Sequence, residues 1–238
     1  MELPRPLHPG ILIKRYKRFL ADVVLEDGTE LTAHCPNPGR MTGLMTPGTK
    51  IWLSRSDNPK RKLQFTFELF EGQNGLVGIN TGHPNVIVSE AIIEGRISEL
   101  AGYQTLRREV NYGSRSRIDV LLEDPLRGRC WVEIKNVHLK RDTEVIPGMA
   151  EFPDSVTTRG ARHLYELANQ VVKGDRAMMV YLVQRMDCDQ FRIAEDIDPA
   201  YQKAFSHAVA VGVEVLCLDV CITTERIRVR RPIEVLQN

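Results

Sequence analysis

The sequence predicts an α/β protein, α+β overall, in which a small five-stranded OB-like β-barrel is followed by a mixed-sheet α/β domain. Three observations carry this. Residues 10–85 hold about five short extended segments separated by turn signals, the pattern of a small antiparallel barrel. After TGHPN the apolar spacing turns helical. From there the order is helix, three strands, helix, strand, helix, strand, which is the layout of a central sheet with helices packed on it.

Along the first part, ADVVLEDGTELTAHC reads as two strands about a turn at Asp27 and Gly28, then TKIWLSRS, LQFTFELF and GLVGIN follow. A generic small barrel with a structural role fits the same pattern. CPNPGRMTGLMTPG is dense in Gly and Pro and reads as an ordered loop on the barrel. VIVSEAIIEGRISEL has helical spacing, with Gly95 a break and an end near Gly102. The expected division is residues 1–84 and 85–238. TLRREVNY, SRIDVLLED and RCWVEIKNV form a meander with turns at Gly113 and at Pro125 to Gly128. TTRGARHLYELANQVVKG is an amphipathic helix, starting near Thr157 or Thr158 and stopping near Gly174, with Leu164, Leu167, Ala168 and Val171 on one face. AMMVYLV is a strand covered on both faces, and PAYQKAFSHAVAVG is a helix leading into the strand VEVLCLDV.

The 238 residues carry a net charge of +1, which gives no global pull toward nucleic acid or membranes. Local patches are another matter: Lys14, Arg15, Lys17 and Arg18 cluster, as do Arg55, Lys60, Arg61 and Lys62, and each set is either a solvated face or a phosphate-binding one. Five cysteines without a CxxC pair point to free thiols in a reducing compartment. No apolar run reaches membrane-spanning length and prolines interrupt the start, so a cytoplasmic location and no membrane partner are expected. The six histidines form no HExxH, and no GxxxxGK[ST] loop occurs, which removes nucleotide-driven enzymes from the leading readings.

The segment WVEIKNV poses the chemical question. In a strand Glu133 and Lys135 share one face, in a stretch that otherwise reads as buried. Asp119 interrupts the apolar strand RIDVLL in the same way, and pairing of the two strands brings Asp119, Glu133 and Lys135 together. Buried carboxylates must be paired or bind a cation. Hard oxygen ligands suit Mg²⁺ or Mn²⁺, held by Asp119, Glu133 and the Ile134 carbonyl, with Lys135 beside the reacting water. The alternative is a plain ion pair on a half-exposed sheet.

RIDVLL, EIKNVHL and FPDSVTTRGARHLYEL, with KRYKRFLADV and HCPNPGRMTGL near the start, resemble the sugar fermentation stimulation protein family of bacteria and archaea. The resemblance spans nearly the whole chain. It implies an OB-like barrel joined to a PD-(D/E)XK nuclease-like domain, DNA binding, and a link to regulation of sugar catabolism. It places the nuclease core motif on Asp119, Glu133 and Lys135, with a helix-borne acid at Glu90 or Glu99. Arg159 and His163 share a helix face; with Arg117 they join the basic patches as DNA-contact candidates, while His163 can equally be packed against the sheet. Asp154 is expected to cap the following helix or its turn. Trp52, Phe65 and Phe67 either stack on bases or fill the barrel core. Two functions stand against each other: a metal-dependent DNA phosphodiesterase, and a non-catalytic DNA-binding regulator of low sequence specificity using the same scaffold. A small-molecule sensor is a third. The oligomeric state is left open.

Overall fold

The structure, a computed structural model, describes residues 1–112, 116–141 and 147–236. The expected turn at Gly113 lies outside the described residues. Strands β1 (Leu7–Tyr16), β2 (Leu20–Leu25), β3 (Glu30–His34), β4 (Lys50–Arg55), β5 (Phe65–Gly72) and β6 (Gly75–Gly78) form the first sheet. Its order is β3-β2-β1-β4-β5-β6, and a further β3–β5 pairing closes a five-strand ring. The barrel is therefore the expected one, built from a different set. Strand β1 is absent from the expected five because its run of Lys14, Arg15 and Tyr16 after Pro9 and Gly10 hides the alternation, and the expected fifth, β6, lies outside the ring as a hairpin on β5.

Barrel strands alternate as a closed sheet requires: Leu12, Ala21, Val23, Ile51, Leu53 and Phe67 fill the interior. Phe67 is thus core, not a base-stacking platform; Trp52, paired with Leu69, borders an apolar cluster outside the barrel interior, and Phe65 meets His8 edge-on at 5.4 Å. The CPNPGRMTGL loop adds Cys35, Met41 and Leu44 to the barrel core. Arg15 holds that loop, donating to the carbonyls of Asn37 (2.7 Å), Gly39 (2.9 Å) and Arg18 (3.0 Å). Its guanidinium donors are taken up by these carbonyls at the half-buried base of the loop. Arg15→Met should cost about 2 kcal/mol, the scale of lost charge-assisted hydrogen bonds. Urea unfolding reads that loss, and amide exchange should quicken first in residues 35–45.

Helix α1 (Pro84–Ile93) opens the second part. Gly95, at φ 69°, ends it, and Ser98–Leu100 form only a 3₁₀ turn, so the expected longer helix is broken where the glycine stands. Strands β7 (Thr105–Tyr112), β8 (Ser116–Asp124) and β9 (Gly128–Val137) are the antiparallel meander. A short sheet of β10 (Leu139–Lys140), β11 (Met149–Phe152), β13 (Gln190–Ile193) and β16 (Glu234–Val235) lies apart, and the sequence reading did not see it. Helix α2 (Thr158–Val172) leads to β12 (Arg176–Val183), and α3 (Pro199–Val211) to β14 (Glu214–Ile222) and β15 (Ile227–Pro232). The central order is β15-β14-β12-β9-β8-β7, with β12 parallel to both β9 and β14.

Helix α1 packs Ile87, Val88 and Ala91 on one face of this sheet, against Val120, Val132 and Val180. Helices α2 and α3 cover the other with Leu164, Leu167, Ala204 and Ala208, against Trp131, Met179 and Tyr181. Covered on both sides, β12 is an unbroken apolar run, as AMMVYLV predicts. No helix among the described residues is long and apolar enough to cross a membrane. No disulfide joins any of the five cysteines.

Candidate active site

Strands β8 and β9 pair from Asp124↔Gly128 up to Val120↔Val132 and then part: β8 continues with β7 alone, and β9 with β12 alone. The next residues on the two strands are Asp119 and Glu133, so both carboxylates stand where the sheet forks. Glu109, at the matching point of β7, has φ 55°, a local twist of the edge. Asp119 replaces the lost ladder. Its Oδ2 accepts from the Ile134 N–H (2.7 Å) and its Oδ1 from the Asn85 amide of α1 (2.8 Å). A residue that turns its N–H to a neighbouring antiparallel strand turns its carbonyl the same way, so the Ile134 carbonyl is directed into the fork. Burial, then the charge of Glu133, pushes the Asp119 carboxyl up to about 6.

Glu133 is 2% exposed. Its Oε1 accepts from the Lys135 ammonium (2.6 Å) and from His163 Nδ1–H on α2. Arg159 Nε donates to His163 Nε2 (3.3 Å) on the far side of the ring. Burial works to raise the Glu133 carboxyl, but Lys135 and His163 outweigh it and hold it below its usual range. Its second oxygen, Oε2, is buried without a hydrogen-bond partner.

The structure thus gathers Asp119, Glu133, Lys135 and the Ile134 backbone, with His163 and Arg159 behind them. His163 is buried on Glu133, so it is a support for the carboxylate and not a surface contact to phosphate. Neither expected helix acid joins. Glu90 pairs with the amino-terminal ammonium of Met1 at 2.5 Å, and Glu99 is exposed and bonded by Ser98. Five residues along a helix is a rotation of about 140°, so once Asn85 faces Asp119, Glu90 faces away. A search for acids passes over Asn85 because it is neutral. Asp154 is corrected too. It accepts from the Arg40 N–H (2.8 Å) across to the barrel loop, while Thr157 caps α2 by accepting from Gly160 N–H. A Cβ at Gly39 would lie 2.3 Å from Asp154 Oδ2, so a larger residue there would have to displace that carboxylate.

Among the DNA-contact candidates, Lys17 and Arg18 form the exposed β1–β2 turn at φ 48° and 63°. Lys60 and Lys62 are also exposed. Lys14 is paired with Asp22 (3.5 Å), Arg61 donates to Thr66 (2.7 Å) and Arg117 to Asn111 (3.2 Å). Between barrel and second domain lies a cleft of about 370 Å³, lined by Arg18, Asn37, Thr81, Asn136, Asp154 and Thr157 among others.

A five-strand OB-like barrel joined to a PD-(D/E)XK nuclease-like domain, with an acid pair and a lysine at the sheet fork, defines the class. The family model described as Sugar fermentation stimulation protein RE domain matches residues 82–226, and the SfsA N-terminal OB domain matches 13–79. The chain is 58% identical over 231 residues to a sugar fermentation stimulation protein homolog of Rhodospirillum centenum, covering 97% of each. Against the homolog of Maricaulis maris it is 54% identical over 235 residues, covering 99% of this chain and 98% of the other. A solved structure described as Pyrococcus furiosus SfsA in complex with Ca²⁺ superimposes with a TM-score of 0.87 at 27% identity, over 100% of this chain and 98% of that one. The chain belongs to the sugar fermentation stimulation protein family.

Proposed function

We propose that this chain is a DNA-binding protein of low sequence specificity whose second domain holds a divalent cation, Mg²⁺ or Mn²⁺, and cleaves phosphodiester bonds. A cytoplasmic role in sugar catabolism accompanies this reading. The observation that carries it is Glu133 Oε2, a buried carboxylate oxygen with no partner, at a fork that also holds Asp119. Such an oxygen is costly unless a cation meets it. The donor set fits: two carboxylates and the Ile134 carbonyl are hard oxygen ligands, and the similar Pyrococcus furiosus protein is described with Ca²⁺, an ion of the same preference.

Bound there, the cation supplies Lewis acidity and makes water a better nucleophile at neutral pH. The protein's residues do the rest. Asn85 and the Ile134 N–H orient Asp119, and His163 and Lys135 orient Glu133. The Lys135 ammonium stands ready to offset charge developing on a scissile phosphate. Lys17, Arg18, Lys60 and Lys62 supply exposed positive charge on the barrel for backbone contacts, and these weaken with salt. Arg18 also lines the cleft that borders the end of β9, which links the barrel's basic turn to the strand carrying the site.

The test is incubation of the purified chain with single-stranded, duplex and nicked DNA in Mg²⁺, Mn²⁺ or EDTA, beside Asp119→Ala. Nicking that needs the metal and disappears in the variant is expected. Nicking that persists in the variant comes from a contaminant. Binding without nicking in every condition favours the regulator, and no binding at low salt removes both readings.

A further inference from the structure

We infer that Glu166, one turn beyond His163 on α2, is the helix-borne acid of this site and acts through water, accepting hydrogen bonds from the hydration shell of the cation together with the hydroxyls of Tyr112 and Ser116. This rests on the divalent-cation reading above and assigns it further residues.

Four buried side-chain atoms have no hydrogen-bond partner here: Glu133 Oε2, Glu166 Oε2, the Tyr112 hydroxyl and Ser116 Oγ. Tyr112 is 5% exposed and Ser116 8%, so none of these groups is satisfied by bulk water. They also share a location. Residues three apart on a helix are surface neighbours, and His163 touches Glu133, so Glu166 follows it along the same face of β9. Tyr112 stacks on Trp131, with centroids 5.6 Å apart, and Trp131 precedes Glu133 by two on that face. Ser116 is the register partner of Tyr112. The Tyr112 phenol is held protonated above its usual range by burial and then by the charges of Glu133, Glu166 and Asp119.

The other Glu166 oxygen lies 4.0 Å from Arg162 Nε, a loose pair at the rim. A buried carboxylate oxygen left without a donor calls for one. Direct ligation by Glu166 as a third acid does not meet the need: among the described residues no three His, Cys, Asp or Glu side chains are placed to hold a metal ion together. A cation that gives up its waters reluctantly answers both points, because its waters are donors and every unpartnered atom here accepts. Outer partners of this kind are worth about ten- to a hundredfold in metal affinity.

The experiment measures Mn²⁺ binding to the full chain by calorimetry at pH 8, for the wild type, Asp119→Asn, Glu166→Gln and Tyr112→Phe. Hexaamminecobalt(III), which binds only through its N–H groups, is titrated in parallel. Glu166→Gln should weaken both ions about tenfold, and Tyr112→Phe, which keeps the stacking ring, should weaken them less. Should Glu166→Gln fail to fold, Tyr112→Phe alone carries the test. Affinities within about twofold of wild type in the folded variants overturn the inference and leave the Asp119–Glu133 site standing. A wild-type chain that binds neither ion overturns the cation reading beneath it. If Glu166→Gln stabilises the metal-free protein without touching affinity, the two acids share a proton instead, and the inference also falls.

Discussion

Lys135→Met is expected to lower metal-dependent DNA cleavage by about a hundred- to a thousandfold, the scale for removing one preorganised charge-stabilising group. The ammonium is 2.6 Å from Glu133 Oε1 and largely shielded from water. Met keeps the length and the apolar stem. The same substitution should cost about 3 kcal/mol of folding stability at pH 8, since it leaves half of a buried pair behind. The sign follows from Glu133. Its carboxyl is held low in the folded state, so the pair contributes above the unfolded value and the contribution is lost as pH falls through the folded one. The deficit should therefore narrow toward acid. Urea unfolding at pH 8 and pH 4, with nicking assays beside it, reads both effects. Equal urea midpoints at pH 8 would show that the pair bears no buried charge worth counting.

The second large effect belongs to the seam between the two parts. His138 is buried there, donating from Nε2 to the Gly78 carbonyl of the barrel and accepting at Nδ1 from the amides of Asn37 (3.0 Å) and Asn136 (2.9 Å). A proton on Nδ1 would face two N–H₂ donors. Burial pushes the imidazole down to about 4. The unfolded chain then binds more protons than the folded one between pH 6.5 and pH 4, and stability falls across that window by about 3 kcal/mol. Asp119 acts oppositely. Raised to about 6, it favours the folded state on the acid side. The comparison of wild type with His138→Gln isolates the histidine, because Gln can donate to Gly78 and accept from the asparagines. The variant should lose the acid-side decline that the wild type shows in denaturant titrations from pH 7 to pH 4. Parallel curves would mean that the ring is charged when folded.

Much of this was legible because the signals were periodic or chemical. The fork acids were found since Asp119 and Glu133 break apolar strands, and α2 since its apolar residues repeat at helical spacing. What escaped had no such mark. Strand β1 is masked by its charges, and the short four-stranded sheet is made of pieces too brief to show alternation. Asn85 is neutral, and Arg15 looks like any exposed base until the loop carbonyls close on it. Glu90 and Glu99 were drawn in by type alone, where helix phase excludes the first and the Gly95 break displaces the second. Glu166 was within reach, three residues after a histidine already singled out.

The loop at residues 35–45 ties the barrel to the second part of the chain. It stoppers the barrel with Met41 and Leu44, while Asn37 and the Arg40 N–H reach His138 and Asp154 of the other part. One stretch of chain is thus both cork and hinge pin. A nucleic acid lying on the barrel would meet the sheet fork at a set spacing, as work is held against a fixed tool rest, and lengthening this loop by a residue or two would blur where along the strand the tool falls.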